Sequence, residues 1–241
     1  MPALELMCIP WAGGVAGAYV AWSDGLRPAT VVPLELPGRG TRYCEPAIES
    51  WADALDAIAG EWQAHQRPVV LFGHSMGAVL AYEFARQMEN QLGVKAAGLI
   101  LSGAAAPHCR QGMLNSRMTD RELALSLVNA GGTPRELLKD PQFLAEYLSL
   151  LKTDLRLLES HRWLPGPGVS CPVYALAGRL DPYAPPDAVK AWSEHVTGPF
   201  TFRDYPGGHF YFKSQLPSFL SDLKGFLEQC ESHVHSNFQL A

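Results

Sequence analysis

The sequence predicts an α/β fold with a mostly parallel central sheet flanked by helices. Six short β-type runs alternate with helix-like stretches along the 241 residues, a pattern typical of parallel sheets. One run, Val69–Phe72, is apolar without alternation, as expected of a central strand covered on both faces. The six predicted strands are Leu4–Ile9, Thr30–Leu34, Val69–Phe72, Gly98–Leu101, Pro172–Ala177 and Phe200–Tyr205.

One helix is predicted before the third strand and another after it. Before it, Trp51, Leu55, Ile58 and Trp62 recur at helical spacing, which indicates a helix with one face on the core. After it, a second helix should begin directly behind Ser75. A chain of this length with 47% hydrophobic residues can bury one large core, so we predict a single α/β domain over residues 1–230.

The interval between the fourth and fifth strands is longer than a crossover of about a dozen residues requires. A capping box at Thr119–Glu122 indicates one helix, which Gly131 and Gly132 can end, and Asp140 followed by Pro141 indicates the start of another. We interpret residues 107–166 as a helical lid insertion; the alternative is an ordinary helical elaboration of the sheet. The polar segment 231–241 is expected to form a flexible tail after the terminal helix.

Composition excludes several classes of function. The net charge of −5 argues against nucleic-acid and anionic-membrane binding, which need a basic face. No run approaches 18 apolar residues and no basic residue precedes the N-terminal apolar stretch, so we expect a cytoplasmic enzyme without a spanning helix or secretion signal. The odd, widely spaced cysteines suit reduced thiols, and we expect no metal site: Cys8, Cys44, Cys109, Cys171 and Cys230.

The segment Gly73-His74-Ser75-Met76-Gly77 has the G-x-S-x-G pattern of a nucleophile elbow. The bare pattern is weak, but here it joins an apolar strand to a helix, as the elbow requires. Glycines two residues either side of a serine in a tight turn let the strand and helix backbones pass closely. We therefore predict that Ser75 is a catalytic nucleophile and that His74, which precedes it, packs in the interior.

A serine nucleophile needs a histidine base oriented by a carboxylate, in the chain order Ser, acid, His. Of the eight histidines, His209 follows the last strand in a Pro-Gly-Gly loop, where it can reach over the strand ends. Asp181 follows the fifth strand at the same edge of the sheet and is the predicted acid. Asp204 is the main alternative acid, although it should lie within the last strand. Asp154, a further alternative, lies in the insertion.

Two backbone N–H groups are predicted to form the oxyanion hole. The Met76 N–H begins the helix after Ser75, where the helix dipole favours a developing negative charge. The second donor should come from the glycine-rich loop after the first strand, and we assign it to Ala12. The alternative for that loop is a plain tight turn.

Several of these motifs together resemble the type II thioesterases, α/β hydrolases that accompany polyketide and nonribosomal peptide synthases. The resemblance spans nearly the whole chain. It rests on residues 10–14, Leu36-Pro37-Gly38-Arg39-Gly40 with Arg42, residues 73–77, the segment Asp154 to Trp163, and residues 206–210. Without the resemblance, Arg39 and Arg42 would be interpreted as solvated charges in a turn after the second strand. Trp11 stands where Tyr or Phe is commoner in the family, and Ala184 replaces a larger aliphatic residue.

The resemblance implies an α/β-hydrolase fold with a Ser75–His209–Asp181 triad, an oxyanion hole of Ala12 and Met76, and Trp11 in the substrate pocket. It implies hydrolysis of aberrant or stalled acyl thioesters from the phosphopantetheine arm of acyl or peptidyl carrier proteins. No cofactor or metal is implied, and we expect a monomer. The alternatives are a fatty-acyl thioesterase, a general serine esterase, and a non-enzymatic binding module with the same fold.

Carrier proteins are generally acidic, as this chain is, so overall charge cannot attract them. We expect a local basic and apolar patch at the mouth of the lid, for which Arg110, Arg117 and Arg121 are the candidates. The alternative is that they are solvated charges on a helical face.

Overall fold

A computed structural model describes residues 4–63, 67–110, 114–131 and 139–238 of the chain. The described residues form a six-stranded sheet in the order β2-β1-β3-β4-β5-β6, and every neighbouring pair is parallel. The strands are β1 Glu5–Ile9, β2 Thr30–Pro33, β3 Val69–His74, β4 Gly98–Ser102, β5 Val173–Gly178 and β6 Phe200–Tyr205. All six predicted strands and the predicted fold class are confirmed.

Helices cover both faces of this sheet because successive residues of its central strands point to opposite sides. The α-helices of the described residues are α1 Trp51–Gln63, α2 Met76–Gln91, α3 Asp120–Ala130, α4 Pro141–Ser160, α5 Pro186–Lys190, α6 Tyr211–Ser214 and α7 Leu216–Phe238. Leu71 and Leu99 pack on the face covered by α1 and α2. Phe72 and Ile100 pack on the other face, against α7 and the 3₁₀ helix Ala16–Trp22.

Helices α3 and α4 lie in the interval between β4 and β5. The predicted capping box is present: the Thr119 hydroxyl accepts from the Glu122 N–H, and the Glu122 carboxylate accepts from the Thr119 N–H. Gly131, in the left-handed region at φ 72°, ends α3, whereas Gly132 lies outside the described residues. Asp140 caps α4. The two helices share a small apolar cluster of their own: Leu123, Leu127, Leu148, Leu151 and Leu155.

The end of α7 differs from the expected boundary. The helix continues to Phe238 instead of giving way to a tail at residue 231. Val234 lies one helical turn after the buried Cys230 and packs against the same apolar cluster. The apolar face of α7 therefore continues past residue 231, although the residues between these two are polar. Among the described residues, no helix combines the length and apolarity needed to cross a membrane.

Candidate active site

The turn between β3 and α2 holds Ser75 in a strained conformation. Its φ of 55° and ψ of −118° make it the one non-glycine residue with positive φ in the described part of the chain. Such strain persists only where the surroundings enforce it, and it clusters at functional sites. The Ser75 N–H donates to the Ser102 carbonyl at 2.8 Å, which ties the turn to the neighbouring strand β4.

Both glycines of the elbow are required by close backbone packing, as the motif predicts. A Cβ on Gly73 would overlap the backbone carbonyl of Gly77. A Cβ on Gly77 would overlap the carbonyl oxygen of Ile9 in β1. The α2 backbone therefore passes directly against the end of β1, which brings the elbow beside the loop predicted to supply the second oxyanion donor.

Asp181 and His209 meet at the carboxyl edge of the sheet, on the loops that follow β5 and β6. The Asp181 Oδ2 lies 2.8 Å from the His209 Nδ1, and both side chains are buried. The other carboxylate oxygen, Oδ1, accepts from the N–H groups of Tyr183 and Ala184 at 2.9 and 3.2 Å. A carboxylate beside Nδ1 favours the tautomer with its proton there, which leaves Nε2 as a proton acceptor.

Neither alternative acid is paired with His209. Asp204 lies within β6, as expected, and accepts from the exposed Arg179 guanidinium at 2.9 Å. Asp154 lies in α4, buried beside Arg39.

The loop after β1 presents its backbone amides in three different ways. The Gly14 N–H closes a turn on the Trp11 carbonyl at 2.8 Å. The Gly13 N–H donates to the Asp154 Oδ2 at 2.7 Å. The Ala12 N–H has no hydrogen-bond partner within the described ranges, and Ala12 lines the same cavity as Ser75. The Met76 N–H belongs to the first turn of α2, where amides have no acceptor within the helix.

A cavity of about 380 Å³ opens in front of these groups, roofed by the insertion. Ser75 and His209 line the side of the cavity that faces the sheet, and Trp11 is also part of its lining. Most of the remaining lining is apolar and comes from α2, α3, α4 and the segments that follow β4 and α4: Val79, Ala104, Ala105, Leu114, Leu127, Leu151, Leu155, Leu158 and Trp163.

Comparison with known proteins identifies the family. The thioesterase domain family matches residues 4–227. This chain belongs to the thioesterase family. It is 36% identical to the thioesterase PikA5 of Streptomyces venezuelae over 229 residues, which are 93% of this chain and 81% of the relative.

Two solved thioesterases have similar structures. The RedJ thioesterase from the prodiginine biosynthetic pathway in Streptomyces coelicolor is 33% identical with a TM-score of 0.85, over 92% of this chain and 85% of that one. The type II thioesterase BorB from the borrelidin biosynthetic cluster is 36% identical with a TM-score of 0.83, over 93% of each chain. The resemblance to type II thioesterases and the α/β-hydrolase fold are thereby confirmed, and this chain is an enzyme that hydrolyses thioesters.

Beneath His209 this thioesterase has a polar network that the sequence did not reveal. His74 is fully buried, as predicted, and its Nδ1 lies 2.9 Å from the Ser102 hydroxyl, which lies 2.6 Å from the Tyr211 hydroxyl. Burial, with smaller effects from the charges of His209 and Lys213, holds the pKa of His74 well below its usual value. A neutral His74 therefore supports the His209 ring, whose centroid is 4.8 Å away.

Arg39 is not the solvated charge that its loop position alone suggested. Its side chain is buried and forms a two-pronged ion pair with Asp154, with both N···O distances at 2.6 Å. Arg42, in contrast, pairs with Glu45 near the surface. Arg39 and Asp154 are 115 positions apart in the sequence, so no local signal indicated this pair.

Arg110 is half-buried and lines the cavity, so of the three candidate arginines it is the one nearest the substrate and the least exposed. Its guanidinium donates to the His161 Nδ1 at 3.3 Å, and the His161 Nε2 lies 3.1 Å from a Glu83 carboxylate oxygen. Burial lowers the pKa of Arg110. Arg117, shortly before α3, and Arg121, in its first turn, are exposed, as a docking patch would require.

No cluster of three or more potential metal ligands occurs in the described part of the chain.

Proposed function

We propose that this thioesterase removes aberrant or stalled acyl groups from the phosphopantetheine arm of carrier proteins. The observation that carries the proposal is the position of Ser75 and His209 at the floor of a mostly apolar cavity roofed by α3 and α4. Relatives named for the prodiginine pathway and the borrelidin cluster support a role beside a biosynthetic assembly line. A thioester on a flexible arm fits a reactive serine that lies inside a cavity.

In the proposed reaction, the Ser75 Oγ attacks the thioester carbonyl carbon while the His209 Nε2 takes its proton. Asp181 orients His209 and stabilises the imidazolium that forms. The Ala12 and Met76 N–H groups donate to the oxyanion. The tetrahedral intermediate collapses by breaking the C–S bond, and His209 passes the proton to the leaving thiolate.

A water molecule then attacks the acyl-enzyme with His209 again as the base, which releases a carboxylic acid and restores Ser75. The protein contributes only side chains and backbone amides to this cycle, so the proposal assigns it no cofactor. The phosphopantetheine belongs to the substrate. Trp11 and the leucines under the insertion would surround the acyl chain, because burial of apolar surface favours its binding there.

Two measurements test this proposal. A fluorophosphonate probe should label the wild-type enzyme in one-to-one stoichiometry and should not label Ser75→Ala, whose kcat should fall by at least about 10⁴-fold while the fold is retained. Carrier-bound acyl thioesters should be hydrolysed with a higher kcat/KM than p-nitrophenyl esters of the same acyl chain.

The second comparison separates the alternatives. Equal or faster hydrolysis of the free esters would indicate a general serine esterase. A preference for long acyl chains on a fatty acid synthase carrier would indicate a fatty-acyl thioesterase. A wild-type enzyme that the probe does not label would refute the Ser75 mechanism.

A further inference from the structure

A buried carboxylate in α4 contacts the loop that follows β1. Asp154 is 1% exposed and accepts three hydrogen bonds: two from the Arg39 guanidinium at 2.6 Å and one from the Gly13 N–H at 2.7 Å. Arg39 also approaches the Gly14 carbonyl at 3.4 Å. The pair therefore joins three segments that are distant in sequence: the loop after β1, the loop after β2, and the insertion.

The same loop touches α4 at two further points. The Tyr147 ring packs over Gly13 so closely that a Cβ there would lie 3.3 Å from it. Ala12 packs against the apolar cluster that α3 and α4 share. The loop thus lies between α2 and α4, and its position depends on both helices.

Stability alone does not account for this arrangement. Replacing a buried ion pair with apolar side chains is often neutral or stabilising, because two charges must be desolvated to form it. An oxyanion donor, in contrast, must lie within about 2.7–3.1 Å of the developing charge, so small displacements matter. Charge-assisted, two-pronged hydrogen bonds provide that geometric precision.

We infer that Arg39 and Asp154 are positioning residues, which hold the Ala12 N–H in place by fixing the adjacent Gly13 N–H. Helix α4 is then part of the catalytic scaffold as well as the cavity roof. The inference rests on the proposed function, since it takes the Ala12 N–H as an oxyanion donor.

Two double variants isolate the Gly13 hydrogen bond. Arg39→Met with Asp154→Leu removes both buried charges and leaves the Gly13 N–H without its acceptor. Arg39→Met with Asp154→Asn also removes both charges but retains a carbonyl oxygen for Gly13. Neither leaves an unpaired buried ion, which a single substitution would do. Lys152→Gln is the matched control, because Lys152 lies on α4 like Asp154 and its ion pair with Asp120 joins α4 to α3 away from the loop after β1.

For the Leu variant we expect kcat on a small acyl thioester to fall roughly 10²-fold with KM nearly unchanged, the effect of a misplaced oxyanion donor. The Asn variant should recover to within about tenfold of wild type, and Lys152→Gln should stay within about twofold. Binding of an alkylboronic acid, whose tetrahedral Ser75 adduct resembles the intermediate, should weaken in proportion to the loss of kcat. Thermal unfolding and fluorophosphonate titration confirm that each variant is folded and count its active sites.

Wild-type turnover in the Leu variant would overturn the inference, and so would equal losses in the Leu and Asn variants. Weakened substrate binding with unchanged kcat would also overturn it, because it would assign the pair to the cavity roof alone. Failure of the probe to label the wild-type enzyme would instead refute the proposed mechanism, so the two failures are distinguishable.

Discussion

Substituting Asp181 by Asn should disable His209 for a reason that is specific to this site. The Asp181 Oδ1 accepts two backbone N–H groups, from Tyr183 and Ala184. In Asp181→Asn the amide carbonyl must occupy that position, because the amide NH₂ group would face two donors there. The NH₂ group is then directed at the His209 Nδ1, where Asp181 now lies at 2.8 Å.

An NH₂ group donates to Nδ1 and so places the imidazole proton on Nε2, the atom that must accept the Ser75 proton. We expect kcat to fall by about 10³- to 10⁴-fold, equivalent to about 4–5.5 kcal/mol of transition-state stabilisation. The fold should be retained, because the two backbone hydrogen bonds survive. The assay is steady-state hydrolysis of an acyl-carrier substrate, together with the ¹⁵N spectrum of His209 to identify its tautomer.

Asp204→Asn is the matched control, because Asp204 pairs only with the exposed Arg179 among the contacts described for its carboxylate. Its kcat should stay within about threefold of wild type, as expected for an exposed ion pair. If Asp204→Asn had a greatly reduced kcat while Asp181→Asn kept most of its own, the catalytic acid would have been assigned to the wrong residue. An Asp181→Asn enzyme with its proton still on Nδ1 would refute the tautomer argument.

Three further predictions concern the loop, the elbow and the surface. Ala12→Pro removes one oxyanion N–H and should lower kcat by roughly 10²- to 10³-fold; a folded variant with normal turnover would place the second donor elsewhere. Gly77→Ala should destabilise the enzyme by about 1–3 kcal/mol in thermal unfolding because its Cβ meets the Ile9 carbonyl, whereas Gly60→Ala, in open space on α1, should be neutral or stabilising; equal effects would contradict the close approach. Reversing Arg117 and Arg121 to Glu should raise KM for acyl-carrier substrates and flatten its salt dependence without changing turnover of an N-acetylcysteamine thioester; equal losses on both substrates would indicate damage to the insertion instead.

Much of this architecture could be predicted because its signals are contained in contiguous segments. The apolar run of β3, the glycines around Ser75 and the capping box of α3 each need only a few neighbouring residues to be recognised. The end of α7 was predicted too early because the residues after Cys230 are mostly polar. The apolar stripe that continues to Val234 is evident only from the packing of that residue against the core.

The sequence by itself determined the order of strands and helices, the elbow at Ser75 and the loops that supply Asp181 and His209, because strand periodicity, tight-turn sterics and chain order are local properties. The tertiary structure decided which groups meet. It separated Asp181 from Asp204, assigned the Gly13 N–H to Asp154 across 141 residues, and buried Arg39 against the same carboxylate. These contacts depend on how the parallel strands align their carboxyl ends and where α4 lies across them, and no short segment of the chain encodes that placement.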